Sequence, residues 1–181
     1  DYPTGFAVNM LYTQPAGVER LPVWYFPTFS DDATAERIAT GSDLTARKFS
    51  IRFAGKGDSL LPIWYDPAVS PCLHILAPED AQSRLYSDYL RSLSRRADLT
   101  RISPAPHLNE EFLEQALDAP IDWCEYFQQA ELAAGSGDWP RVLQVWEMSR
   151  EQGLAPNYGA ELFPFIEASL AVGREEEAEE L

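Results

Sequence analysis

The chain has 181 residues, and 45% of them are apolar, so it can form a hydrophobic core and is not expected to be globally disordered. Its apolar runs are short, such as Leu60 to Tyr65, and none reaches the roughly 20 residues that cross a bilayer. The net charge is −15, and the residues from His107 onward include 17 acidic and 3 basic side chains, which argues against a nucleic-acid partner.

The N-terminal part has the pattern of a mixed unit of helices and strands. A short helix is expected within Pro3 to Thr13, and Leu21 to Phe26 is an apolar run typical of a strand. The segment "SDDATAERIA" predicts a helix with Ser30 as its N-cap and with acidic residues in its first turn. The neighbouring pair Asp31 and Asp32 is therefore interpreted as capping chemistry rather than as a metal or sugar site.

Three strands are predicted next. Phe49, Ile51 and Phe53 alternate with polar residues in "ARKFSIRFAG", which indicates a half-buried strand. The segments "SLLPIWYD" and "CLHIL" give the second and third strands, and Pro62 favours an edge position or a bulge in the second. The Gly-rich turn at Gly55 to Asp58 predicts that the first two strands form an antiparallel hairpin.

The spacing of apolar residues changes after Pro78. In "PEDAQSRLYSDYLRSLSRRA" the apolar residues have helical spacing, and a connector that contains Pro104 and Pro106 follows. We place a domain boundary in that connector, between Thr100 and Asn109. The predicted units are residues 1–103, a small sheet unit, and residues 104–181, an all-helical unit. The fold class is therefore α+β.

The helical part repeats itself. "FQQAELAAGSGDWPRV" aligns with "FPFIEASLAVGREEEA" at a constant offset of 36 residues, close to the tetratricopeptide period of about 34. Turns are predicted at Gly135 to Asp138 and at Val172 to Arg174. Two unrelated amphipathic hairpins are the alternative interpretation.

A repeat of this kind places four residues on one face of the first helices: Phe127, Glu131, Phe163 and Glu167. Bare Phe side chains would form an apolar patch, which water-soluble proteins tend to cover or to use for binding. We predict that the sheet unit docks on this candidate interaction face. Docking there would bring Cys72 towards Cys124.

The candidate reactive residues are few. Cys72 and Cys124 are too far apart for a CxxC motif, so they are either two buried thiols or one disulfide in an oxidising compartment. Cys72 and His74 share a strand face and could in principle act as nucleophile and base, but a packed histidine is favoured. His107 lies in the connector and is expected to be solvated. The sequence predicts no catalytic residue, cofactor or metal ligand.

Three segments resemble a known group of proteins: "SIRFAGKGDSLLPIWYDPAVSPCLHILAPEDA", "IDWCEYFQQAELAAGSGDW" and "LFPFIEASLAVGREEEAEEL". They are similar to the water-soluble C-terminal region of large bacterial polytopic membrane proteins. These proteins are uncharacterised or resemble glycosyltransferases that use lipid-phosphate sugars. The resemblance extends from about Lys48 to Leu181, and it carries no catalytic residue onto this chain.

The resemblance implies a soluble tail of a longer membrane protein, and the helical pattern at Leu181 favours the same expectation. The expected function is a non-catalytic interaction or accessory domain, whose partner is its own membrane-embedded region, another protein or a glycan. The alternative is a domain that binds substrate or completes the active site of a membrane glycosyltransferase. The expected location is the extracytoplasmic face of a bacterial membrane, with the cytoplasm as the alternative.

Overall fold

The structure of the protein is a computed structural model that describes residues 32–48, 51–58, 60–102 and 121–181. In chain order, its helices and strands are α1 (Asp32–Thr40), β1 (Asp43–Lys48), β2 (Ile51–Lys56), β3 (Ile63–Trp64), β4 (His74–Ile75), α2 (Asp88–Ser94), α3 (Trp123–Gly135), α4 (Trp139–Glu151), α5 (Phe163–Ala171) and α6 (Glu175–Glu180). Short 3-10 turns lie at Pro78–Gln82, Leu99–Arg101 and Gly159–Leu162. Small antiparallel strand pairs followed by helices confirm the predicted α+β class.

The chain divides into two compact units. The first consists of Asp1–Pro62 and Ala77–Ala119, and the second of Ile63–Leu76 and Pro120–Leu181. The strand pair β3–β4 therefore belongs to the same compact unit as helices α3 to α6. The predicted boundary at residue 103, the N-terminal helix and the Leu21 to Phe26 run all lie outside the described residues.

The first unit holds α1, the β1–β2 pair and α2 around a small core. Ile38 of α1, Leu44 of β1 and Leu93 of α2 are buried together, with Phe53 and Tyr89 packed against them. Helix α2 begins after Ser87, whose hydroxyl accepts a hydrogen bond from the Leu90 amide and so caps the helix N-terminus.

The prediction for the first two strands is wrong in its pairing. The segment predicted as one strand contains two, because β1 ends at Lys48, β2 begins at Ile51, and the two pair antiparallel with Ala46 opposite Phe53. The inward positions are even-numbered in β1, as at Leu44, and odd-numbered in β2, as at Phe53. That change of parity is the sequence signal of a chain reversal.

The turn at Gly55 to Asp58 has a different role from the predicted one, since the strand that follows it does not pair with β2. Gly57 is buried against the end of α1, and a Cβ atom built there would lie 2.7 Å from the backbone oxygen of Arg37. Glycine is needed at this position because two backbones approach closely. Strand β3 instead pairs antiparallel with β4, with Trp64 opposite His74.

Helices α3 to α6 form two consecutive hairpins in the second unit. Their turns lie where they were predicted, between Gly135 and Trp139 and between Ala171 and Glu175. We call Ile63–Leu76, which contains β3 and β4, the strand segment. The core of this unit consists of residues from the helices and one from the strand segment: Cys72, Trp123, Tyr126, Phe127, Ala130, Ala133, Val142, Leu143, Val145, Phe165 and Ala168. Among the residues that the structure describes, no helix is both long and apolar enough to cross a membrane.

The first helix of each hairpin ends in the same way, at the predicted offset of 36 residues. Gly137 and Gly173 adopt φ angles of 72° and 77°, in the left-handed region that glycine tolerates. The amide of Asp138 donates to the oxygen of Ala133 at 2.9 Å, and the amide of Arg174 donates to that of Ser169 at 2.8 Å. These bonds complete two matching C-terminal caps, so the sequence repeat corresponds to repeated backbone structure.

Candidate functional site

The two cysteines named by the sequence are joined in a disulfide inside the second unit. Cys72 is fully buried just before β4, and Cys124 lies in the first turn of α3. Their Cα atoms are 5.0 Å apart, and the bond closes a separation of 52 residues. By the chain-entropy argument, a loop of this length stabilises the folded state by about 4 kcal/mol. The bond also anchors the strand segment to the start of α3.

A buried carboxylate lies beside this anchor. Glu161 is fully buried, and its Oε1 accepts a hydrogen bond from the Ser70 hydroxyl. Its Oε2 accepts bonds from the Trp123 indole at 2.6 Å and from the backbone amides of Asn157 and Tyr158 at 2.8 and 3.3 Å. One side chain therefore joins the strand segment, the start of α3 and the loop before α5. Four donors around a single carboxylate meet the condition under which a buried charge is tolerated.

Ser70 is held on both sides by this network. Its hydroxyl donates to Glu161 and accepts from the amide of Cys72 at 2.9 Å. The hydroxyl therefore links the backbone before β4 to the buried carboxylate.

His74 is packed among aromatic rings, as the sequence favoured. Its side chain is 2% exposed, and its ring centroid lies 4.9 Å from that of Trp64 and 4.8 Å from that of Phe127. Nε2 has no hydrogen-bond partner among the described residues. Burial lowers the pKa of His74 below its ordinary value of 6.5, and the nearby charge of Glu161 partly opposes that shift.

The sequence suggested that Cys72 and His74 could in principle act as nucleophile and base, and the structure shows how the two are placed. The two residues are buried on the same face, as their alternation with Leu73 and Ile75 predicted. The sulfur of Cys72 is bonded to Cys124, so the oxidised protein has no thiolate beside the imidazole. Within the described ranges, no group of three metal-ligating side chains could hold a metal ion.

Two candidates from the sequence cannot be placed. Asp31 and His107 lie outside the described residues, whereas α1 begins at Asp32, in agreement with a helix start there.

The candidate interaction face separates into two halves with different exposure. We define the α3 face as Phe127, Ala130, Glu131 and Ala134, and the α5 face as the residues 36 positions later: Phe163, Ile166, Glu167 and Leu170. Phe127 is 1% exposed, whereas Phe163 is 49% exposed. Each residue of the α5 face is more exposed than its counterpart on α3.

The strand segment, residues 63–76, accounts for the burial of Phe127. His74 packs on Phe127, and Cys72 is bonded to Cys124 one turn earlier on α3. The prediction that the sheet unit docks on the candidate interaction face is met only at Phe127, where residues 63–76 of the second unit pack, whereas Phe163 stays exposed. The α5 face carries Leu170 at 54% exposure and Phe163 about two turns before it, so an apolar stripe remains on the surface.

Sequence reasoning missed Glu161, Ser70 and Trp123 as members of the buried network. The only local signal was Glu161 itself, three residues after Tyr158 at a helix start, where a capping-box acid is expected. Its contact with Ser70 joins residues 91 positions apart, which no local pattern encodes.

Comparison with protein-family models, with curated proteins and with solved structures finds no match to this chain.

Proposed function

We propose that the chain is a non-catalytic interaction domain that serves a larger membrane protein on the extracytoplasmic side. The observation that carries the proposal is the buried junction of the second unit. In this junction the strand segment meets the start of α3 and the loop before α5. Cys72 forms a disulfide with Cys124, and the Ser70 hydroxyl donates a hydrogen bond to Glu161. A junction of this kind holds a surface in shape and leaves its polar groups little capacity for chemistry on a substrate.

The exposed α5 face supports binding as the function. Phe163 and Leu170 present apolar side chains to solvent on one side of the helix, while Phe165 and Ala168 fill the core on the other. The fold therefore does not need the outward pair for its own core. Surface patches of this type commonly mark interaction sites.

The disulfide supports an oxidising location. Structural disulfides persist in secreted and periplasmic proteins, whereas cytosolic reductants keep most thiols reduced. The resemblance to the soluble regions of bacterial membrane proteins agrees with such a location.

An activity screen tests the proposal against the glycosyltransferase alternative. The chain would be incubated with nucleotide sugars, lipid-phosphate sugars and nitrophenyl glycosides, and transfer and hydrolysis would be measured. We expect rates equal to those of the buffer alone. Turnover above that level, lost in a folded single-residue variant, would overturn the proposal in favour of the enzyme.

Thiol counting tests the disulfide on which the argument for the location depends. The protein is purified from an oxidising compartment, unfolded without reductant and treated with a thiol reagent. We expect no free thiol before reduction and two after it. Two free thiols before reduction would remove the argument for an extracytoplasmic setting.

A further inference from the structure

The side chains of the α5 face are larger than those at the same positions of the α3 face. Ala130 corresponds to Ile166, and Ala134 corresponds to Leu170. On α3, Ala130 is buried and Ala134 is half-buried, whereas on α5 Ile166 is half-buried and Leu170 is exposed. A protein that merely left this helix side in water would gain nothing from Ile and Leu there, because exposed apolar area carries a hydration cost.

The charge of the second unit restricts what can cover this face. Its residues, 63–76 and 120–181, include 14 acidic and 3 basic side chains. Glu167 lies in the middle of the α5 face, and five of the six residues of α6, the next helix, are Glu. A molecule that approaches the face therefore meets a negative potential, which attracts cationic and repels anionic partners.

We propose that the α5 face binds a basic amphipathic segment of another polypeptide, an inference that rests on the proposed interaction function and names its partner's chemistry. Apolar side chains of the segment cover Phe163, Ile166 and Leu170. Its Lys or Arg side chains lie near Glu167 and the Glu residues of α6. The covered α3 face provides a precedent within the same unit, because an apolar polypeptide segment already packs there on Phe127.

Charge also favours a basic segment over two other partners, a second copy of this chain and an anionic lipid surface. A second copy would bring together two units that are both strongly acidic, and an anionic lipid surface would oppose the same charge. A basic segment gains from the attraction that the other two must overcome.

Two synthetic peptides test the proposal. Both carry Leu at positions i, i+3, i+4 and i+7, and the remaining positions are Lys in one and Glu in the other. Binding to the intact chain is measured by calorimetry. We expect the Lys peptide to bind at least about tenfold more tightly than the Glu peptide, and to weaken when salt rises from about 0.1 M to about 1 M.

Variants then locate the binding. Phe163→Ser combined with Leu170→Ser should weaken the Lys peptide by about tenfold or more, while Leu132→Ser, an exposed apolar residue of α3, should leave its affinity unchanged. Unchanged thermal unfolding midpoints would show that all variants fold. Equal losses in both variants, or no loss in either, would overturn the proposal.

The competing partners are tested with the same variants. Sedimentation tests for a dimer of the native chain that the double variant no longer forms. Vesicles that contain phosphatidylglycerol test for membrane binding that the double variant has lost. Either result would assign the face to the other partner and overturn the basic segment. Failure of the peptide test without turnover of any sugar substrate would leave the proposed interaction function standing, so the two failures are distinguishable.

Discussion

Helices α3 and α5 begin two consecutive hairpins with matching caps, yet they differ in what lies on the same side of each. On the α3 face, Phe127 is covered by residues 63–76, which are tied to α3 by the Cys72–Cys124 bond. The α5 face is open, with Phe163 49% exposed. The comparison teaches that a repeat conserves backbone geometry more readily than burial, because burial depends on segments from outside the repeat.

On the core-facing sides of α3 and α5, positions 36 residues apart also differ in burial. Phe165 is fully buried and packs on Trp146 with ring centroids 4.9 Å apart. Its counterpart 36 positions earlier is Gln129, which is not a core residue. The alignment that matches the turns thus pairs a buried Phe127 with an exposed Phe163.

The largest expected effect tests this comparison directly. Phe127→Ala removes a buried ring and leaves a cavity, so we expect the free energy of unfolding to fall by about 3–5 kcal/mol. Phe163→Ala removes a half-exposed ring, and we expect a change within about 0.5 kcal/mol. Denaturant titration of both variants measures the difference. Similar losses would show that the two faces are equally covered.

A second prediction concerns Glu161, the buried acceptor between the start of α3 and the loop before α5. Glu161→Ala leaves buried donors without an acceptor, among them the indole of Trp123 and the hydroxyl of Ser70. Each unpaired buried group costs about 1–3 kcal/mol, so we expect a total loss of about 3–4 kcal/mol.

The matched control is Glu147→Ala, which removes an exposed carboxylate from α4. We expect a change within about 0.5 kcal/mol for this variant. Denaturant titrations that gave equal, small losses for the two variants would contradict the assignment of Glu161 as the central acceptor of the junction.

The predictions for Phe127 and Glu161 separate the features that local sequence patterns could predict from those that they could not. Helices α1 and α3 to α6, the turns at Gly137 and Gly173 and the α+β class follow from local periodicity and turn chemistry, and the structure confirms them. The helical pattern predicted from Pro78 to Ala97 corresponds instead to a 3-10 turn and the short helix α2. The approach of Cys72 to Cys124 was expected from docking of the sheet unit, but the pairing of β3 with β4 and the contact between Ser70 and Glu161, 91 positions apart, were not predicted. Local patterns carry no such information, which is also why Glu161 was missed.

The third prediction uses pH to probe the cover of the α3 face. The pKa of His74 is lowered in the folded state, so between pH 6.5 and that lowered value the unfolded chain binds a proton that the folded chain does not. The free energy of unfolding should therefore fall as pH decreases through this window, with a slope of at most about 1.4 kcal/mol per pH unit. Above pH 6.5 this residue contributes no slope.

His74→Leu supplies the comparison for the pH effect. The variant keeps an apolar side chain under Trp64 and lacks the titrating group, so its unfolding free energy should lose the slope that the native protein shows in this window. His107, the other histidine, is present in both proteins, and its contribution cancels in the difference. Identical pH profiles would show that His74 is accessible to protons in the folded state.

The smallest expected effect examines the feature that α3 and α5 share. Gly137→Ala and Gly173→Ala each place a Cβ atom on a backbone with positive φ, and in both cases that atom would meet nothing within 4 Å. The cost is then conformational strain alone, about 1 kcal/mol, and it should be equal at the two positions. Thermal or denaturant unfolding of the two variants measures this. A loss at Gly137 several times that at Gly173 would mean that the second cap contributes little to stability, and the likeness of the two hairpins would then be one of sequence and geometry without equal energetic weight.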